Sequence, residues 1–228
     1  MILQTDPFAA FPPRRQAVLA IAGATVLALV VLAHHPVAVR GSSEQQLLTD
    51  IVAQQRMDGI VHGVFILLLA IMAGGLSALS ARLGWSRPAV IVATLAYGLG
   101  CCAVSAAALL DGFLTPQLAQ HFLAATPAVL QAAHIVLLLV SVAIQVLTKA
   151  GLVSMSVGLL AWSFALWRAP RGGWSRWFAV PALAAGVMMI VLLAGADLWL
   201  GPANIGAVFA ILASWNIVVV AMLWRKEP

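Results

Sequence analysis

The chain has 228 residues, 63% of them hydrophobic and 8% charged, with a mean hydropathy of +1.05. Globular chains run about 45–50% apolar and about 25% charged, so a soluble domain, a disordered chain and a disulfide scaffold are all excluded. The pI of about 10.3 does not point to nucleic acid, because the basic residues stand in short flanks between apolar runs, where they set orientation across a bilayer. The expected class is an all-α polytopic integral membrane protein, one transmembrane domain over residues 1–228.

A spanning helix needs about 20 predominantly apolar residues. The first such run, 17–33, follows Arg14-Arg15 and ends in Val31-Leu32-Ala33, which resembles a cleavable leader. The long stretch before the arginines, with Asp6, Pro12 and Pro13, favours a retained anchor instead. Residues 34–58 form the longest connection. In it Ser43, followed three residues later by Gln46, fits a capping box, and Leu47, Leu48, Ile51 and Val52 fall on one side. This predicts a short amphipathic helix over 43–57, lying on the membrane surface.

The second and third spans are expected at 59–81 and 88–110. Small residues crowd the third (Ala93, Ala96, Gly98, Gly100, Ala103), which suits close helix–helix approach. Cys101 and Cys102 are neighbours, where a disulfide would be strained, and read as packed thiols. Thr115-Pro116 and Thr126-Pro127 each set a hydroxyl cap before a proline, predicting a second surface helix over 116–125 and a new start at 127.

The stretch 127–167 is about twice as long as one span requires. It is either two spans with a tight turn at Thr148-Lys149-Ala150-Gly151, or one span at 145–167 with an outer extension from 127. The positive-inside rule decides. With a single crossing, Arg14, Arg15, Arg82, Arg87, Arg168, Arg171, Arg176, Arg225 and Lys226 lie inside, against Arg40, Arg56 and Lys149 outside: nine against three. Two crossings would give five against seven. Together with spans at 178–196 and 203–224 this makes a six-helix bundle with short outer-face helices and both termini cytoplasmic, expected in a bacterial inner (plasma) membrane. Trp85, Trp167, Trp174, Trp177 and Trp224 then form a belt at the cytoplasmic interface. The apolar extension 127–146 must tilt, kink near Gly151 or rest on other outer elements.

This topology puts all five histidines (His34, His35, His62, His121 and His134) on the outer side. Glu44, Asp50, Asp58, Asp111 and Asp197 join them, while Asp6 and Glu227 stay in the tails. Asp58 and His62, four residues apart, share a helix face and could ligate a metal, or Asp58 could orient the imidazole. The plainer alternative is that Asp58 N-caps the second span. Asp111 and Asp197 close the third and fifth spans, where a carboxylate opposes the helix dipole and wants a partner. His34-His35-Pro36 closes the first span, but adjacent histidines rarely aim at one ion, and they read as interfacial. His121 and His134 sit on the outer-side helices.

Zinc and copper favour imidazole and carboxylate ligands, so the candidate metal ligands are His62, Asp58, His121, His134, Asp111 and Asp197. There is no H-E-x-x-H, phosphate loop, G-x-S-x-G or dinucleotide glycine pattern. A haem sandwich would want histidines facing one another in mid-membrane, and none is central. The leading expectation is a metal or small-ligand site beneath an outer cap. A hydrolase there would need Asp58 or Asp111 as base. The alternatives are a non-catalytic accessory subunit, with a membrane-protein partner or a second copy, and a small transporter lined by Gln131, Gln145, Lys149, Ser154, Ser156, Asn204 and Asn216. Against that last case, Lys149 can pair with Asp111 or Asp197 at the same level, a purely structural role.

Overall fold

The computed structural model describes residues 14–35, 43–169, 172–194 and 199–225. Among them there is no strand. The helices are α1 (Arg14–Ala33), α2 (Glu44–Leu83), α3 (Pro88–Leu109), a π-helical turn (Leu110–Leu114), α4 (Thr115–Phe122), α5 (Pro127–Trp167), α6 (Gly172–Ala194) and α7 (Pro202–Trp224). Six helical segments are long and apolar enough to cross a membrane, with α3, the π turn and α4 running on as one of them.

The two ends of the bundle differ in chemistry. At one end the Arg14 guanidinium donates to the Leu223 carbonyl, and Arg82 donates to the Met222 carbonyl at 2.6 Å. Arg225 lies over the Phe178 ring and Arg176 over Trp167. This arginine end therefore gathers the start of α1, the end of α2 and the end of α7. The opposite end carries His35, His62 and Asp111.

Between the ends, close backbone approach holds α3 to α5. A Cβ on Gly100 would come within 2.6 Å of the Gly151 carbonyl oxygen, and one on Gly158 within 2.9 Å of that of Ala93. The small residues of the third span thus serve the packing expected of them. Several buried hydroxyls and amides bond one another or a neighbouring sulfur. Trp162 donates to Ser80, which bonds Thr94, and Asn216 donates to Thr25 and to the Met72 sulfur.

Several expectations from sequence need correction. The amphipathic segment 43–57 is not a separate surface helix: it runs without a break into the second span, making α2 a single helix of 40 residues. Ser43 does N-cap it, accepting the Gln46 N–H at 3.3 Å. No glycine or proline interrupts 44–58, so nothing stops the helix from continuing. Asp58 therefore lies in mid-helix and caps nothing. By contrast, 127–167 is one helix of 41 residues with no turn at 148–151, the unbroken alternative that the balance of basic residues favoured.

The segment 116–125 is not an independent helix either, and the chain does not end a helix at Asp111. The Thr115 hydroxyl is not a cap but donates back to the Leu110 carbonyl at 2.9 Å, the same oxygen that accepts the Thr115 backbone N–H. Thr126 begins α5 without a side-chain cap bond.

Several of the residues expected to line a pathway are engaged in structural bonds. Gln145 exchanges two hydrogen bonds with the Leu200 backbone, Ser154 donates to the Ala96 carbonyl, and Asn204 to that of Trp199.

Beyond the level of His35, the first halves of α2 and α5 extend with α4 as a cap. Gln45 donates to the Leu123 carbonyl at 2.8 Å, and Glu44 faces His134 at 3.8 Å. The apolar extension of α5 is thus propped on α2, while Ile135, Leu138, Leu139 and Val142 stay exposed.

Candidate metal centre

The site is assembled by three features of local sequence. The first is Pro116. It has no N–H to give the carbonyl four residues back, and its ring would crowd that carbonyl in a regular helix. The chain widens into the π turn at 110–114, closed by the Thr115-to-Leu110 bond. One extra residue in the turn rotates the downstream helix by about 100° relative to α3, and Asp111 lies within that turn, facing α1 and α2.

The second feature is Gly112. A Cβ there would sit 2.5 Å from the His62 Cβ and 2.6 Å from its Cγ, so only glycine lets α2 lie directly on the π turn. Gly59, one turn earlier on α2, faces the Gly112 carbonyl. The two Asp-Gly pairs of the sequence are thus the contact between the elements that carry the acids.

The third is the end of α1. The His34 ring bonds back to the Val30 carbonyl through Nδ1 at 2.8 Å and is exposed. His35 turns the other way, into the bundle, where its ring meets that of His62 edge-on with centroids 4.9 Å apart.

The resulting geometry is compact. His62 Nε2 lies 3.3 Å from His35 Nε2 and 3.3 Å from Asp111 Oδ2, and His35 Nε2 lies 3.7 Å from the same carboxylate oxygen. Three donor atoms at such separations outline one face of a tetrahedron. With metal–nitrogen bonds of about 2.0–2.1 Å, the edges of a tetrahedral zinc shell are about 3.3–3.4 Å.

On the far side of the His62 ring, Nδ1 is 2.9 Å from the Asp58 carbonyl and 3.2 Å from Asp58 Oδ1. A carbonyl can only accept, so Nδ1 carries the hydrogen and Nε2 is the nitrogen left to face His35 and Asp111. His35, Asp58 and His62 also offer ligand atoms within 4.8 Å of one another. Asp58 meets the protonated nitrogen, however, which makes it the carboxylate that orients the imidazole rather than a direct ligand.

His62 and Asp58 are largely shielded, with side chains 7% and 15% exposed, while His35 and Asp111 reach 24% and 36%. Two carboxylates and two imidazoles in contact require positive charge, supplied either by a divalent cation or by protons on the rings.

Of the six residues expected from sequence, Asp58, His62 and Asp111 come together. His134 faces Glu44, and His121 lies edge-on to Phe122; both are exposed and neither belongs to the cluster. Asp197 lies outside the described residues. Lys149 does not face Asp111, whose carboxylate is directed at the two histidines. His35 is the member of the cluster that sequence reasoning misses, because its neighbour His34 makes the pair read as interfacial. The signal available is its level: it ends α1 where His62 enters the bundle.

Beside the cluster is a cavity of about 70 Å³. His35, His62, Asp111 and Thr148 give it a polar side, and Phe65, Val104, Ala107 and Phe209 are among its apolar walls. No protein-family model matches the chain, and neither a curated protein nor a solved structure resembles it.

Proposed function

We infer that the protein is a membrane-embedded metal-binding protein whose site takes a zinc-like divalent ion on His35 Nε2, His62 Nε2 and Asp111 Oδ2. The observation that carries this reading is the triangle of donor atoms with sides of 3.3, 3.3 and 3.7 Å. Asp58 supports it by fixing the tautomer that leaves Nε2 free. Three protein ligands leave the fourth tetrahedral position open, which is the pattern of catalytic rather than structural zinc sites. In this reading the histidine end faces outward and the arginine end the cytoplasm, following the bias of basic residues.

Elemental analysis of the purified, untagged, detergent-solubilised protein tests it, beside a His35→Ala/His62→Ala control. Near-stoichiometric zinc or copper that is lost in the control is expected. No metal, even after incubation with both ions, would sink the reading and leave the cluster held together by protons.

A second reading, an accessory subunit, is favoured by one observation. Ile135, Leu138, Leu139 and Val142 form an exposed apolar stripe on the half of α5 that extends past the cluster. Such a face suits burial against another membrane protein or a second copy. Aggregation of the singly expressed chain, relieved by a co-expressed partner, would support it; a stable monomer would not.

A further inference from the structure

Charge is divided sharply between the two ends of the bundle. Every described arginine except Arg56 stands at the arginine end. The described acids Glu44, Asp50, Asp58 and Asp111 all lie at the other end, on the first half of α2 or in the π turn. Counting the tail acids Asp6 and Glu227 against the arginine end still leaves it with a positive excess. An excess of one sign on one surface attracts an anion from outside the chain.

Within that end, the seam of α1 and α7 brings guanidinium groups together. Arg14 and Arg82 donate to the carbonyls of Leu223 and Met222, which are neighbours on the last turn of α7, so two side chains are fixed side by side. The Arg14 bond is made through Nε, and among the described residues its Nη groups have no partner. Arg15, the next residue, is exposed and makes no side-chain bond among them. Arginine forks with spare N–H groups match the paired oxygens of a phosphate.

Away from these heads the surface turns apolar. Leu19, Val26 and Val30 follow Arg15 along one face of α1, and all three are exposed. Trp224, next to the residue whose carbonyl Arg14 holds, and Ile217, two turns earlier on α7, are exposed as well. A cationic pair continued by an apolar stripe offers contacts to both head and chain of a lipid. A soluble anion uses the first and gains nothing from the second. A zwitterionic head brings its own ammonium against the positive excess, so the charge favours a head with a net negative charge.

Taking the six apolar helices as spans, and independently of the metal-binding reading, we propose that the seam of α1 and α7 binds an anionic phospholipid. Its phosphodiester lies on Arg14 and Arg15 beside Arg82, and an acyl chain lies along Leu19 and Val26.

The test titrates the full chain, purified in detergent, with phosphatidylglycerol or phosphatidylcholine, bound lipid being counted by native mass spectrometry. The two lipids share the phosphodiester and the chains, so their difference reads the net charge of the head. Wild type is expected to bind phosphatidylglycerol about tenfold more tightly, the order set by two interfacial arginines. Arg14→Gln/Arg15→Gln is expected to lose that preference. Arg168→Gln/Arg176→Gln, which removes the same charge from the same end, is expected to keep it. Arg14 also bonds α7, so Arg15→Gln alone supplies a variant that breaks no described side-chain bond, and it is expected to weaken the preference.

Equal loss in the two double variants would mean a diffuse field with no site at the seam, and overturns the proposal. Absence of any preference in wild type, or an Arg15→Gln variant indistinguishable from it, does the same. Displacement of the lipid by glycerophosphoglycerol, the head without chains, at equal concentration would make the ligand a soluble phosphodiester and overturns the lipid assignment. None of these outcomes touches the metal-binding reading.

Discussion

Gly112 lies beneath His62 so closely that a Cβ on the glycine would sit 2.5 Å from the histidine's own Cβ. The atoms opposed are next to the backbone of α2, so no side-chain rotation relieves the contact. Gly112→Ala is therefore expected to push α2 off the π turn, costing about 1–3 kcal/mol as an overpacked contact and separating His62 from Asp111. Gly59→Ala meets only ordinary contacts at 3.8 Å and is expected to be tolerated. Thermal melts and metal content of the two variants check this. Equal behaviour would mean that the α2–π turn contact does not set the site.

On the metal-binding reading Asp58 and Asp111 have different jobs in the cluster, and substitution separates them. Asp111→Ala removes a ligand and should abolish stoichiometric metal. Asp58→Ala keeps all three donor atoms but loses the carboxylate behind His62, for which a 10–100-fold loss of affinity is typical. His121→Ala and His134→Ala, outside the cluster, should leave affinity unchanged. Competition titrations with a zinc chelator measure all four. An Asp58 variant as inert as the His121 variant would refute the orienting role.

On the metal-binding reading, a bound ion competes with protons on two imidazoles, because only the neutral ring ligates. Lower pH favours the protonated rings, so affinity must fall as pH falls. Once both rings carry protons the limiting slope is about 100-fold per pH unit. Zinc affinity compared at pH 8, 7 and 6 reads this out. A flat profile would place the ion on carboxylates alone.

The α3–α5 contact makes a prediction about stability without touching the site. A Cβ on Gly100 would meet the Gly151 carbonyl oxygen and the Met155 backbone nitrogen within 3 Å, whereas one on Gly98 would meet nothing within 4 Å. Gly100→Ala should destabilise by about 1–3 kcal/mol, since backbone cannot move aside. Gly98→Ala should be neutral or stabilising by up to about 1 kcal/mol, from helix propensity. Melting in detergent distinguishes them, and a destabilised Gly98 variant would mean that this face of α3 is covered.

Six helices long and apolar enough to cross a membrane, and the absence of strands among the described residues, are legible in the sequence because hydropathy is a local property: a run of apolar residues such as 88–110 declares itself without reference to the rest of the chain. The same holds for the crowding of small residues in α3 and for the gathering of histidines and acids at one end. The absence of a turn at 148–151 is anticipated by the balance of basic residues, which is a sum over flanks and needs no packing.

Helix continuity at 44–58 and 110–122 is not legible, because Asp58-Gly59 and Thr115-Pro116 imitate helix starts. Nothing in 44–58 breaks the helix, and at Pro116 the chain answers by widening a turn instead of stopping. Which polar groups converge is beyond the sequence. His121, His134 and His35 carry the same chemistry at the same end, and only the placement of Asp111 in the π turn, the close seat of α2 on Gly112 and the inward turn of His35 bring three donor atoms to one point. Convergence depends on the relative rotation and approach of helices far apart in the chain, quantities that a run of residues does not contain.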